Sequence, residues 1–221
     1  MAQGTGFSLR QKQFLDVAVG ESYILKNFYL SGGTALASWY LHHRESYDLD
    51  FFSEREVNSS KISRWLVTRK TDIGYESSHF DEQLGFYFFH MQYPNGDQLK
   101  VDFSYFPSER IEKGPNWRGL DIDSLYDIAV NKAHTLRTSP RARDYIDFYF
   151  IIKNTGWVVR KIISDANIKF GITVGELETA RHFLKVTELS EFPKMLVPFN
   201  QKSMEKFFLK LAKDLGKEIF K

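Results

Sequence analysis

Two kinds of hydrophobic pattern divide this chain into halves. In the first half, short apolar runs bounded by glycine, proline or asparagine alternate with segments of helical spacing. Short runs of this kind are typical of β-strands. In the second half, apolar residues recur every three to four positions almost throughout, which is typical of helices. The pattern therefore predicts an α+β first half and a helical second half.

The first half is predicted to contain both helices and strands. Helices are expected at residues 8–19, 34–43 and 59–69, and strands at residues 27–31, 47–52, 73–79, 84–93 and 98–106. The turn sequence Pro94-Asn95-Gly96-Asp97 separates the last two strands. Because proline, asparagine and glycine favour tight turns, these two strands are predicted to form a hairpin.

The second half is predicted to form a helical bundle. Its helices are expected at residues 123–138, 141–154, 157–166, 174–187 and 202–220. The preceding residues 109–118 are polar and contain Gly114-Pro115, which favours a linker. We therefore expect two domains, at residues 1–118 and 119–221.

Composition excludes several classes of protein. The 221 residues are 43% hydrophobic and 26% charged, as in ordinary globular proteins, and the net charge of +2 neither requires nor excludes a nucleic-acid partner. The absence of cysteine excludes disulfides, thiolate metal sites and a thiol nucleophile. The N-terminus lacks a signal-peptide core, and no stretch approaches the ~20 apolar residues of a membrane helix. We expect a cytoplasmic protein without membrane association.

A glycine pair marks a candidate phosphate site. Gly32 and Gly33, followed by Thr34, lie between a predicted strand and a predicted helix. Glycines let the backbone approach a ligand closely, and the free N–H groups of a helix start favour an anion such as phosphate. An ordinary tight turn has the same sequence, so this motif alone does not identify a nucleotide site.

Two aspartates on one predicted strand are the strongest chemical signal. Asp48 and Asp50 are two residues apart, so in a strand their carboxylates point to the same side. Like charges at this separation repel and favour a bound cation, and hard oxygen ligands suit Mg²⁺ or Mn²⁺. The alternative is a solvent-facing strand edge with two ordinary acids.

A third carboxylate, Asp102, lies in the middle of a later predicted strand. If that strand neighbours Asp48 and Asp50, three carboxylates converge, as two-metal phosphoryl transfer requires. Asp102 could equally be an exposed strand residue, and the sequence leaves both possibilities open.

The helical half adds a lysine and two further aspartates. Lys132 has apolar neighbours and is either a snorkelling lysine or a cation that meets triphosphate charge. Asp144 and Asp147 could orient Lys132 or the nucleotide, whereas an i, i+4 pair of Arg143 with Asp147 would only stabilise the helix.

Arg44 precedes Asp48 by four residues and could neutralise a phosphate or pair with one of the aspartates. It follows His42 and His43, which could ligate a metal. Adjacent residues at a helix end point in different directions, however, which argues against a shared metal.

Together these motifs resemble the AbiEii/AbiGii (MenT-like) nucleotidyltransferase toxins of the polymerase β-like nucleotidyltransferase superfamily. The resemblance spans residues 30–150 and rests on the order Gly-Gly-Thr, Arg, Asp-Leu-Asp-Phe-Phe, Lys and Arg-Asp-x-x-Asp. It implies an α+β fold: a nucleotidyltransferase core with a mixed β-sheet flanked by helices, followed by a C-terminal helical bundle.

The resemblance also implies a role for each motif. The metal ligands would be Asp48, Asp50 and Asp102, the last matched only by its strand position. The catalytic set would be Asp48, Asp50, Asp102, Lys132, Asp144 and Asp147. The NTP would contact Gly32, Gly33, Thr34, Arg44 and Lys132, with Thr34 in place of the superfamily's usual serine.

The function expected from this resemblance is metal-dependent transfer of an NMP from an NTP to an RNA 3′ end, as in tRNA, an EC 2.7.7 type activity. The chain would be the toxin of a bacterial toxin–antitoxin or phage-defence system, with a cognate antitoxin as partner. The cations of the helical half could hold the RNA backbone or could simply form a charged, solvated face; they are Arg137, Arg141, Arg143, Arg160, Lys161 and Arg181. Two alternatives remain: an acceptor that is a small molecule or protein side chain, and a non-catalytic module that binds a nucleotide or a partner.

Overall fold

The computed structural model describes residues 6–219, with the side chains of residues 6–217. Two compact units divide the chain: Met1–Tyr40 with Ser46–Leu125, and Leu41–Glu45 with Tyr126–Lys221. The first unit is built on a β-sheet and the second on helices, in agreement with the predicted α+β fold. Within the described range, no helix has both the length and the apolar composition needed to cross a membrane.

A mixed sheet forms the centre of the first unit, with seven strands among the described residues. The strands are β1 Tyr29–Ser31, β2 Leu49–Ser53, β3 Ser77–Gln83, β4 Phe86–Gln92, β5 Gln98–Tyr105, β6 Asn116–Trp117 and β7 Leu120–Ile122. Their order in the sheet is β3-β4-β5-β2-β1-β7-β6. The pairs β1–β7 and β2–β5 are parallel, and the other neighbours are antiparallel. The predicted hairpin is the β4–β5 pair.

Short helices surround this sheet. They are α1 Leu9–Ala18, α2 Ser22–Asn27, α3 Gly32–Ala35, α4 Ser59–Thr68 and α5 Lys70–Ile73, and α3 continues as a π-helical segment, Leu36–Leu41. Ser8 caps α1 by accepting a hydrogen bond from Gln11 N, and Asn58 caps α4 by accepting one from Lys61 N. The sequence analysis missed α2 and α5, because six and four residues are too short to show a helical period.

The second unit contains longer helices. They are α6 Leu125–Leu136, which starts at the end of the first unit, α7 Ala142–Thr155, α8 Val159–Phe170, α9 Glu176–Leu184 with a 3₁₀ turn at Lys185–Glu188, and α10 Gln201–Ile219. Left-handed glycines, Gly156 and Gly171, end α7 and α8. All five predicted helices are present, and Phe220, the predicted end of the last one, lies outside the described residues.

Two details of the predicted first half are wrong. The strand expected at residues 73–79 starts later, because α5 occupies Lys70–Ile73 and ends at the left-handed Gly74. The expected linker is packed against β7: a Cβ on Gly114 would lie 2.0 Å from the Ile122 carbonyl oxygen. The expected domain boundary after residue 118 falls inside the β6–β7 hairpin, and a division at that point stays a prediction.

The core of the first unit lies on one face of the sheet. Phe51 and Phe103 stack there with ring centroids 4.9 Å apart, and Phe14 of α1 and Trp65 of α4 meet edge to face at 5.6 Å. Because side chains alternate along a strand, the neighbours of Phe51 and Phe103 point to the opposite face. That opposite face carries the predicted acidic residues.

Candidate active site

Asp50 and Asp102 are direct neighbours across the parallel pair β2–β5. Adjacent strands lie about 4.8 Å apart, so the two carboxylates share one face and one short stretch of the sheet. Asp102 is buried and Asp50 is half-buried. Asp48 precedes β2 by one residue and is also half-buried. The strand of Asp102 therefore neighbours the strand of Asp50, which is one of the two possibilities that the sequence left open.

Gly32 lies directly against the Asp50 carboxylate. Its φ of +69° is in the left-handed region, and a Cβ at this position would lie only 2.1 Å from Asp50 Oδ2. No residue with a side chain fits there unless the carboxylate moves. The sequence analysis assigned Gly32 to a phosphate-binding turn, and the geometry adds a second reason for glycine, which is room for the acid.

Thr34 fixes the backbone in front of β2. It is buried, and its hydroxyl donates to the carbonyl oxygen of Asp48 and lies 2.9 Å from Ser46 Oγ. Gln11 Nε2 donates to the Ser46 carbonyl oxygen at 2.8 Å. The Thr34 hydroxyl therefore positions Asp48 in this structure, and its predicted contact with a phosphate stays a prediction.

A further buried carboxylate, Asp123, was missed by the sequence analysis. Ser31, which pairs with Asp50 across β1–β2, donates its hydroxyl to Asp123 Oδ2 at 2.6 Å. Tyr40 donates its phenol to the Asp123 carbonyl oxygen at 2.8 Å. In the sequence Asp123 looked like the first residue of a helix, because no local pattern shows that β7 brings it beside β1.

Lys100 contacts the third predicted metal ligand. Its ammonium binds Asp102 Oδ2 and lies 4.7 Å from the centre of the Phe88 ring. In the described part of the chain, no group of three or more His, Asp or Glu side chains is already arranged around a metal site. The carboxylate oxygens of Asp48 and Asp50 suit Mg²⁺ or Mn²⁺ chemically. Asp48 and Asp50 therefore fit such an ion, whereas Asp102 fits it only when Lys100 moves.

Lys132 lies in a buried ionic cluster of the second unit. Its ammonium is 2.7 Å from Asp144 Oδ1 and 2.7 Å from Asp147 Oδ2. Arg44 binds both oxygens of Asp147, at 2.7 and 2.8 Å, and His43 Nε2 is 2.8 Å from Asp147 Oδ1. All five side chains are buried. Asp147 thus has three basic partners. Of the roles considered for Asp144 and Asp147, the orientation of Lys132 agrees with these contacts.

Electrostatics keep this cluster charged. Burial raises the pKa of Asp147, but Lys132, Arg44 and His43 outweigh burial and hold that pKa well below the usual 3.8. Burial also lowers the pKa of Lys132, but Asp147 and Asp144 outweigh it, so the pKa lies above the usual 10.5. The Lys132 ammonium is therefore fully protonated and engaged by its two acids.

Arg44 reaches the cluster from a short segment that belongs to the second unit. The peptide of Glu45 donates to the Lys194 carbonyl oxygen, and Leu196 N donates to the His43 carbonyl oxygen, both at 2.9 Å. Arg44 pairs with Asp147 of α7, a partner that differs from the nearby Asp48 and Asp50 considered in the sequence. Its predicted nucleotide contact, like those of Gly33 and Lys132, stays a prediction.

Comparison with known proteins identifies the family. The model of the family described as nucleotidyl transferase AbiEii toxin, type IV toxin–antitoxin system, matches residues 14–214. The chain belongs to the AbiEii nucleotidyl transferase toxin family. It is therefore a nucleotidyltransferase, as the motifs predicted, and the non-catalytic alternative is set aside.

Proteins similar to this AbiEii family member include one sequence relative and two crystal structures. The uncharacterized protein aq_aa25 of Aquifex aeolicus (strain VF5) is 31% identical over 170 residues, covering 70% of this chain and 74% of that protein. Crystal structures of JHP933 and of a putative nucleotidyltransferase, both from Helicobacter pylori, align with TM-scores of 0.59 and 0.59 at 16% and 18% identity. Each covers 95% of this chain, and the matches span 91% and 94% of the two structures. These matches agree with the predicted nucleotidyltransferase fold.

Proposed function

We propose that this AbiEii-family enzyme transfers an NMP from an NTP to the 3′ end of an RNA such as tRNA, using a divalent metal held by Asp48 and Asp50. The observation that carries the proposal is the acidic face of the sheet, where Asp50 lies opposite Asp102 and under Gly32. We further propose that it acts in the cytoplasm as the toxin of a toxin–antitoxin or phage-defence system with a cognate antitoxin.

The reaction forms one bond and breaks one. The acceptor hydroxyl oxygen bonds to the α-phosphorus and its proton is released to solvent, while the bond from the α-phosphorus to the oxygen that bridges to the β-phosphate breaks and pyrophosphate leaves. A bound Mg²⁺ or Mn²⁺ would neutralise triphosphate charge and lower the pKa of the acceptor hydroxyl. Asp48 and Asp50 would hold the ion, Thr34 holds the Asp48 backbone in place, and the Gly32–Gly33 turn gives the phosphates close access to peptide N–H groups.

The cations expected to bind RNA in the helical unit are mostly engaged within it. Arg137 is only 2% exposed and donates to Ala133 O and to Asn167, so its assignment as an RNA contact is wrong. Three of the others form ion pairs within 3.2 Å: Arg160 with Glu176, Lys161 with Asp165, and Arg181 with Glu178. Arg141 and Arg143 stay candidates for the RNA backbone.

The first unit offers a second cationic surface. Lys61, Arg64 and Arg69 line a groove between α2 and α4 together with Tyr23 and Trp65. Clustered cations beside aromatic rings suit a phosphodiester backbone and stacked bases. Arg69 is paired with Asp72 at 3.2 Å, so Lys61 and Arg64 are the cations of this groove that stay candidates for the RNA backbone.

Transfer of label tests the proposal. The protein is incubated with Mg²⁺, tRNA and each of the four NTPs labelled at the α-phosphate, and the RNA is then resolved on a denaturing gel. We expect label on RNA with at least one NTP, its loss on chelation, and its loss in Asp50→Asn. Asp72→Asn is the matched control, because Asp72 is an exposed acid on α5.

Each other outcome is informative. Label on protein or on a small hydroxyl compound, with none on RNA, would favour the alternative acceptor classes. Full activity of Asp50→Asn, or activity that survives complete chelation, would refute the metal assignment.

A further inference from the structure

Lys100 binds Asp102, the third predicted metal ligand. Lys100 and Asp102 are two residues apart on β5, so their side chains point to the same face of the sheet, the face that carries Asp50. The Lys100 ammonium contacts Asp102 Oδ2 and lies over Phe88, the residue paired with Asp102 across β4–β5. The contact was not part of the sequence-based site.

This contact has an electrostatic reason. Without a metal ion, neighbouring carboxylates on one face repel each other, and each gains by a nearby cation. The Asp102 side chain is only 11% exposed, which weakens solvent screening of its charge, and Lys100 is 30% exposed. Lysine is a point charge on a flexible stem, so it can leave a carboxylate without disturbing the strand.

We propose that Lys100 is a positioning residue that neutralises Asp102 in the metal-free enzyme and leaves it when a divalent ion binds the acidic face. The single positive charge of Lys100 beside Asp102 is then replaced by the double positive charge of an ion that Asp102 shares with the other carboxylates. The proposal rests on the metal site of the proposed function. It implies that Lys100 opposes metal binding, because its contact with Asp102 has to break first.

Mn²⁺ affinity measured by calorimetry without nucleotide tests this role. We expect Lys100→Met to bind Mn²⁺ about tenfold more tightly than the wild type, since both the displacement and the repulsion are removed. Lys100→Arg keeps a cation and should stay near the wild type. Lys12→Met, a matched loss of one exposed lysine on α1 of the same unit, should leave the affinity unchanged.

The double variant separates this role from a general charge effect. In an Asp102→Asn background, Lys100→Met should tighten Mn²⁺ binding clearly less, because the contact that has to break is already gone and only the repulsion by Lys100 remains. Thermal unfolding of each variant shows that the folded protein is being compared. An equal tightening with and without Asp102 would overturn the proposal.

The outcomes distinguish this inference from the proposed function. Measurable Mn²⁺ binding by the wild type, with unchanged or weaker binding by Lys100→Met, overturns the role of Lys100 alone. Absence of binding in both proteins overturns the metal site and the role of Lys100 together. Tighter binding by Lys100→Met that depends on Asp102 supports both.

Discussion

The protein contains two closely spaced pairs of aspartates, and their surroundings differ. Asp48 precedes β2 and Asp50 lies within it, both half-buried, and Asp50 neighbours Asp102 across the sheet. Asp144 and Asp147 lie on α7, buried, within 2.8 Å of basic side chains. Asp50 of the first pair faces another carboxylate across the sheet, whereas the second pair is neutralised by buried basic residues of the chain itself. Spacing in the sequence therefore identifies acids that act together, and burial with partners decides what they do.

Removal of Asp147 should have the largest effect on stability. Asp147→Ala removes the buried carboxylate that Arg44 and Lys132 share, and with it the hydrogen-bond partner of His43 Nε2. Loss of one partner from a buried ion pair costs about 3–5 kcal/mol. Urea denaturation measures the free energy of unfolding. Asp72→Ala, an exposed acid, is the control, and a loss below about 1 kcal/mol for Asp147→Ala would show that the cluster is not a structural element.

Removal of Asp50 should act on catalysis instead. We expect Asp50→Asn to lower kcat at least about 100-fold, because the metal charge at the triphosphate stabilises the transition state by several kcal/mol. The free energy of unfolding should be unchanged or higher, since one of several repelling carboxylates is gone. A large loss of stability in Asp50→Asn would remove the contrast between the two pairs.

Substitution of Gly32 should lower both the stability and the affinity for Mn²⁺. Gly32→Ala combines a left-handed φ of +69° with a Cβ 2.1 Å from Asp50 Oδ2, so we expect about 1–2 kcal/mol of lost stability and weaker Mn²⁺ binding. Gly96→Ala is the matched control, because Gly96 also has a positive φ, +85°, but no atom within 4 Å of its Cβ position. Equal Mn²⁺ affinity in both variants would show that Gly32 does not shape the acid site.

A change of pH should have the smallest effect on the stability that Asp147 contributes. The pKa of Asp147 is lower in the folded state than in the unfolded state. Its contribution to the free energy of unfolding is therefore present above the unfolded pKa of 3.8 and is lost as the pH falls toward the folded pKa. The pKa of Lys132 is raised, so its contribution is present below 10.5 and is lost as the pH rises beyond that. The stability difference between wild type and Asp147→Ala should therefore be constant from about pH 5 to 9. A clear slope in this range, measured by denaturation at several pH values, would contradict the assigned charges.

The sequence predicted those features that depend on local pattern. The β4–β5 hairpin follows from its turn residues, and the place of Asp50 on a strand of the sheet follows from its apolar neighbours. The pairing of Arg44 with Asp147 spans 103 residues, so no local pattern could indicate it. The burial of Lys132 and the position of Asp123 beside Ser31 likewise depend on packing between distant segments.

Binding of Mn²⁺ followed by the electron paramagnetic resonance signal of the free ion tests the central claim most directly. The claim is that Asp48 and Asp50 hold the metal and that the acids of α7 do not. We expect a double variant that carries Asp48→Asn and Asp50→Asn to leave Mn²⁺ free in solution. The Asp144→Asn variant should bind Mn²⁺ as the wild type does. Undiminished Mn²⁺ binding by the double variant would contradict the account.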